Sequence, residues 1–211
     1  KFKYESLRTV ADILDTNDFF VTFDLSNGYH HIPIAHEHQK YLGFAWDFPS
    51  ATGTVTRYFV FLVMAFGLAS ACFAFTQVMR SFLKKWREER KKSSLYLDDG
   101  LLGAETYEKA LIVGSQAARD LEAAGLTINS KKSCFTPRQQ GIYLGFTIDT
   151  VKMEFIAPAE KIQNLKNSLS KLQARTTSTP KDIARIAGTI ASLSPAFGSI
   201  TNLFTRQLYK F

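Results

Sequence analysis

The chain has 211 residues, 45% of them hydrophobic, enough apolar material for a core shared by one or two domains. Its formal net charge of +7 suits a polyanionic partner. No apolar run approaches the ~20 residues that span a bilayer, and Lys1 to Arg8 lacks an apolar signal core, so no membrane partner and an intracellular setting, cytoplasm or nucleus, are expected.

Leu7, Val10 and Leu14 recur at helical spacing and predict a short helix over 5–14. Phe19 to Phe23 is aromatic and β-branched, a strand that runs into Asp24. Residues 41–48 and 55–63 read as two strands joined across Pro49 to Thr54, a hairpin spanning about 36–63. From Ala69 to about Trp86 the pattern is helical, with Phe73, Val78 and Phe82 along it. Cys72 in that helix and Cys134 beyond it stand in apolar surroundings and read as buried thiols of a reducing compartment. Leu95-Tyr96-Leu97, Asp98-Asp99-Gly100 and Leu101-Leu102 predict a tight hairpin turning at Asp-Gly. A helix over 106–124 ends at Gly125, and Ile142 to Ile148 reads as a strand.

After Pro158 the character changes. Ile162, Leu165, Leu169 and Leu172 form a helical stripe with lysines between them. Residues 174–179 are a polar break, and Thr179 reads as an N-cap with Pro180 at the first helical position. The boundary falls near 157. An α+β body occupies 1–157 and a helical segment occupies 158–211.

The carboxylates point to a chemistry. Phosphoryl transfer asks a protein for positioning and for positive charge on the attacking and leaving oxygens. The two-metal solution clamps divalent ions ~3.5–4 Å apart between carboxylates, and magnesium takes oxygen ligands. Asp24 ends an apolar strand, and Asp98 with Asp99 sits at the tip of an apolar hairpin. They can converge only if those strands are neighbours in one sheet. Taken singly, Asp98-Asp99-Gly100 is an ordinary turn, and Asp24 a cap for a helix over Leu25 to Tyr29.

Further segments occur in order along 19–148. They are Phe23-Asp24-Leu25-Ser26-Asn27-Gly28-Tyr29-His30-His31-Ile32-Pro33-Ile34, then Phe66-Gly67-Leu68-Ala69-Ser70-Ala71 with Phe75 and Met79, then Tyr96-Leu97-Asp98-Asp99. Gly125-Leu126-Thr127-Ile128-Asn129 with Lys131, Lys132 and Phe135, and finally Tyr143-Leu144-Gly145-Phe146, complete the series. These resemble the successive palm motifs of the reverse transcriptases. The Phe-Gly-Leu and Tyr-Leu-Gly-Phe wording resembles LTR retrotransposons of the gypsy type. The tail, from Ile186-Ala187-Gly188 to Arg206-Gln207-Leu208-Tyr209, resembles DIRS-like elements.

The resemblance implies a polymerase palm over 1–157 with partial fingers, followed by a helical thumb or connection segment. It implies an RNA-directed DNA polymerase that adds dNTPs to a primer 3′ end on an RNA or DNA template. Two Mg²⁺ ions, for which Mn²⁺ can substitute, would be held by Asp24, Asp98, the Leu25 carbonyl and, more peripherally, Asp99. Ser26, Asn27, Tyr29, Phe66 and Gly67 would line the dNTP, with the Tyr29 ring as steric gate against a 2′-hydroxyl. Lys131 or Lys132 would protonate the pyrophosphate, and the Leu144-Gly145 turn would grip the primer. Departures are Cys72 in place of a usual proline, Thr76 in place of glutamine, and Gly28 in place of alanine. The family's first fingers segment is expected upstream and a ribonuclease H domain downstream, in a longer polyprotein.

Two other readings compete. An RNA-dependent RNA polymerase shares the palm but calls for a small or polar gate. A catalytically silent nucleic-acid-binding palm fits less well, because all three aspartates are present. The run from Arg80 to Lys92 reads first as a solvated helix end and second as a phosphate track. Lys161, Lys166 and Lys171 are candidates for meeting duplex phosphates.

Overall fold

The computed structural model describes residues 3–175 and 177–208; Lys1, Phe2, Thr176 and Tyr209 to Phe211, with the expectations that fall on them, lie outside the described residues. The central sheet is antiparallel, with four strands in the order β4 (Lys92–Tyr96), β5 (Asp99–Ala104), β1 (Phe19–Asp24), β6 (Cys134–Arg138). β1 is interior and buried from Phe20 to Asp24, which is why its sequence is nearly continuous in apolar residues.

The sheet's two faces carry separate cores. Val21 and Phe23 face α3 (Ala71–Glu88) and α4 (Tyr107–Ala123), meeting Phe75, Met79, Trp86 and Leu121. The Trp86 Nε1–H donates to Asp120 at 2.8 Å, so this ring is core. Phe20 faces the other way, towards α1 (Leu7–Ile13) and a second sheet of β7 (Gln140–Tyr143), β8 (Phe146–Asp149) and β9 (Glu154–Ile156). Ser6 and Thr9 form a capping box at the start of α1.

The expected strand over 142–148 is in fact the β7–β8 hairpin. Leu144 and Gly145 occupy its turn with φ of 48° and 75°, and glycine takes such a conformation without strain. The Asp-Gly turn is also displaced. Tyr96 pairs with Asp99 and Leu95 with Gly100, so the two turn residues are Leu97, at φ 53°, and Asp98. Gly100 lies inside β5 because a side chain there would collide with the Phe23 ring, whose Cζ stands 2.1 Å from the Cβ position.

α2 (His36–Gln39) leads into a hairpin of β2 (Gly43–Ser50) and β3 (Gly53–Val60), exposed along both strands. Phe44 stacks on Phe59 at 5.4 Å across it. After Pro158 come α5 (Ala159–Gln173), α6 (Pro180–Ala191), α7 (Ser194–Phe197) and α8 (Ile200–Leu208). Thr179 caps α6 in a box with Asp182, with Pro180 at the first position. Leu193, Ile162 and Leu165 join the core under β7 and β8, so the helical segment packs on the α+β body. Among the described residues no helix is long and apolar enough to cross a membrane.

Candidate active site

Asp24, the last residue of β1, is the direct antiparallel partner of Asp99, the first residue of β5. Such partners share a face with Cβ atoms about 4.5–5.5 Å apart, where like charges repel. Asp98 sits in the adjoining turn, and its carbonyl accepts the Leu25 N–H at 3.0 Å. The segment after α4 closes over the same corner. Asn129 N–H donates to the Asp24 carbonyl at 2.8 Å, Ser26 N–H to Thr127 O at 2.8 Å, and Asp24 N–H to Ser133 Oγ at 3.0 Å. Among the described residues, no hydrogen bond ends on the Leu25 carbonyl. The Ser133 contact had no signal in the sequence, because it depends on a loop folding back over 109 positions.

The electrostatics mark the corner. Asp24 is 8% exposed, and its Oδ1 is buried without a hydrogen-bond partner. The Asp99 carboxyl is pushed up to about 6, by burial first and then by Asp98 and Asp24, while Lys132 acts in the opposite sense. An orphaned buried oxygen beside repelling carboxylates suits a divalent cation. Among the described residues no group of three or more His, Cys, Asp or Glu side chains makes a ready-made metal cage. A magnesium site completed by substrate phosphates does not require one, since one or two carboxylates suffice.

Lys131 and Lys132 separate clearly. Lys132 Nζ lies 3.4 Å from Asp24 Oδ2. The exposed Lys131 turns its backbone N–H to Asn129 Oδ1 at 3.2 Å.

Tyr29 lies in a 3₁₀ turn, Gly28–His31, just beyond the carboxylate corner. Its ring meets Phe66 at 4.9 Å and Phe75 at 5.3 Å, and its hydroxyl lies 3.0 Å from Cys72 Sγ. Gly28 is explained by Phe75, whose Cζ is 2.8 Å from where a Cβ would stand. Asp98 is within electrostatic reach of both Tyr29 and Asp99, and Asp99 lines the cleft described next. Asn27, exposed and left-handed at φ 53°, and the half-buried Ser26 lie in the chain between Asp24 and Tyr29. Phe66 is exposed, and Gly67 follows at φ 91°. Cys72 and Cys134, expected to be buried, are both half-buried free thiols.

A cleft of 1490 Å³ runs from Asp24, Asp99 and Lys132 past Tyr143, Leu144 and Gly145 to Ser194 and Asn202. The Tyr143 hydroxyl approaches the carbonyls of Ser94 and Asp99, each at 3.4 Å. The Leu144-Gly145 turn is thereby tied to the strand that carries Asp99. Arg138 also lines the cleft, donating to Thr22 Oγ1 at 2.9 Å.

Other expected contacts are used internally. Thr76 is 8% exposed, and its hydroxyl donates to the Cys72 carbonyl at 2.7 Å. In the basic run, Lys85 pairs with Asp120 at 2.6 Å, Arg87 with Glu5 at 2.7 Å and Lys91 with Glu89 at 2.6 Å. Lys161 donates to Ser192 O at 3.5 Å and lies over the Phe146 ring. Lys166 and Lys171 are exposed.

Residues 2–148 match the reverse transcriptase (RNA-dependent DNA polymerase) family, and the chain belongs to that family. Its members generally use divalent metal ions. The Gag-Pro-Pol polyprotein of Human T-cell leukemia virus 2 is 29% identical over 120 residues, which is 56% of this chain and 8% of the polyprotein. The foamy viral protease-reverse transcriptase dRH in complex with ds DNA superposes with a TM-score of 0.77 at 22% identity, over 100% of this chain and 33% of that one. The foamy viral enzyme in complex with RNA/DNA hybrid gives 0.69 at 22% identity, over 91% of this chain and 23% of that one. At that identity the likeness establishes the fold, a polymerase α+β palm. The chain spans a minor part of each of these relatives.

Proposed function

We propose that residues 1–157 are the catalytic palm of an RNA-directed DNA polymerase, with partial fingers in the hairpin at about 36–63, and that residues 158–211 are a helical thumb or connection segment. The observation that carries the reading is the Asp24–Asp99 cross-strand pair with Asp98 in the adjoining turn and a partnerless Asp24 Oδ1. No stabilising role explains three carboxylates at one sheet corner, because their repulsion costs the fold. Asp24, Asp98, Asp99 and the Leu25 carbonyl would hold two Mg²⁺ ions, or Mn²⁺ in their place. Bound there, the metal supplies positive charge to the attacking and leaving oxygens.

The remaining roles belong to the chain's own groups. Lys132 gives a proton to the departing pyrophosphate, a role supported over Lys131 by its Nζ lying 3.4 Å from Asp24 Oδ2. Ser26, Asn27, Phe66 and Gly67 line the dNTP, and the Tyr29 ring excludes a 2′-hydroxyl. The Leu144-Gly145 turn holds the primer end in the cleft. Template and primer, RNA or DNA, fit the basic balance and the complexes formed by the foamy viral enzymes. Two free thiols fit an intracellular setting. The motif wording supports an LTR retrotransposon of gypsy or DIRS-like type, with ribonuclease H downstream in the polyprotein. Primer extension with RNA template, dNTPs and Mg²⁺ on the intact polymerase tests the function. Extension that survives Asp24→Asn would overturn it.

A further inference from the structure

One sulfur atom touches the free end of the gate ring. Cys72 Sγ lies 3.0 Å from the Tyr29 hydroxyl. Tyr4, whose ring packs on Tyr96 at 5.3 Å, is within electrostatic reach of the same thiol. A thiol is a weak donor and a weak acceptor, so either atom of the Tyr29–Cys72 pair can donate. Its own position is fixed. Cys72 stands in the first turn of α3, with its carbonyl held by Thr76. Burial, followed by the Cys72 thiol, pushes the Tyr29 phenol well above its ordinary value, so the hydroxyl keeps its proton at neutral pH.

The aromatic walls alone leave the ring a freedom. Phe75 is fully buried, but Phe66 is 67% exposed, so the pocket is firm on one side and open on the other. The hydroxyl contact restrains the end of the ring that those walls do not.

We infer that Cys72 is a positioning residue for sugar selection, tethering the Tyr29 hydroxyl and so setting how closely the ring approaches the sugar of the incoming nucleotide. The inference rests on the proposed gate role of Tyr29. The ring does the excluding, and the thiol decides where the ring stands.

Single-nucleotide extension with matched dNTP and rNTP on the intact polymerase tests this. Cys72→Ala and Tyr29→Phe should each lower discrimination by about threefold to tenfold, the worth of one hydrogen bond. The loss should appear mainly in the KM values. Combining the two should cost no more than either alone, because both remove the same contact. Cys72→Ser, which restores a donor and acceptor, should stay near wild type. The tether is wrong if Cys72→Ala and Tyr29→Phe both discriminate as sharply as wild type, or if their losses add. Tyr29→Val separates this from the gate itself. A relaxed valine variant beside unchanged Phe and Ala variants defeats only the tether, whereas an unrelaxed valine variant defeats the gate.

Discussion

Lys132 and Asp24 meet at the centre of the site, with Nζ 3.4 Å from Oδ2 although 108 positions separate them in the chain. Both adjacent lysines line the cleft, and the described ion pair with a carboxylate there is that of Lys132. Lys132→Ala should therefore lower kcat by about 100-fold, the scale of a lost general acid. Lys131→Ala should change it by less than about threefold, as an exposed side chain outside the chemistry does. Pre-steady-state extension with each variant decides the assignment. Equal losses in both would place the proton donor elsewhere.

Asp98 occupies a turn and contributes little to the core, so its charge can be removed without unfolding the sheet. Asp98→Asn should reduce extension by about 10²- to 10³-fold, several kcal/mol of lost metal stabilisation. Binding to primer-template should persist and should weaken steeply with salt, because lysines and arginines meeting phosphates supply it. Filter binding across a salt series checks the second part, and a flat response would contradict it.

Asp99 makes stability depend on pH. Its carboxyl is pushed up from 3.8 to about 6 in the folded chain. Between those values the native state keeps a proton that the unfolded state has released. Stability from this group is therefore present at the acid end and is lost as pH rises through about 6. In chelator, melting temperature should show this downward component from about pH 4 to 7. Asp99→Asn should remove it and raise the melting temperature at neutral pH. Mg²⁺ should stabilise the native chain at pH 7.5 and hardly at all at pH 5, as thermal melts with and without the ion would show.

Much of this was legible in the sequence, for identifiable reasons. β1 announces itself because a strand buried on both faces needs an unbroken apolar run. The start of α6 is legible because Thr179, Pro180 and Asp182 satisfy its first N–H groups locally. Register was not legible. Asp-Gly favours a turn, yet the pairing of Tyr96 with Asp99 moves the turn back to Leu97-Asp98 and leaves a strained leucine at φ 53°. The tertiary fit of Phe23 over Gly100 outweighs the local preference. Likewise the choice between Lys131 and Lys132, the Ser133 contact with Asp24 and the Cys72 contact with Tyr29 depend on loops meeting across the fold.

Phe23 and Gly100 are cross-strand partners, one residue before Asp24 and one after Asp99. The Phe23 ring rests where any side chain at 100 would stand, with Cζ 2.1 Å from the Cβ position. Phe23 is 2% exposed and contacts Trp86 at 6.2 Å, so it cannot move aside into solvent. Gly100→Ala must therefore shift β1 against β5, at a cost of about 1–3 kcal/mol. It should also spoil the separation of Asp24 and Asp99, so activity should fall further than melting temperature alone implies. Phe23→Leu leaves a cavity and costs about 1–2 kcal/mol by itself, but it opens room for the methyl group. The double variant should then be more stable than the sum of the singles predicts, with a coupling of about 1 kcal/mol. Thermal melts of the four proteins measure this, and strict additivity would mean that Gly100 is required for something other than the ring.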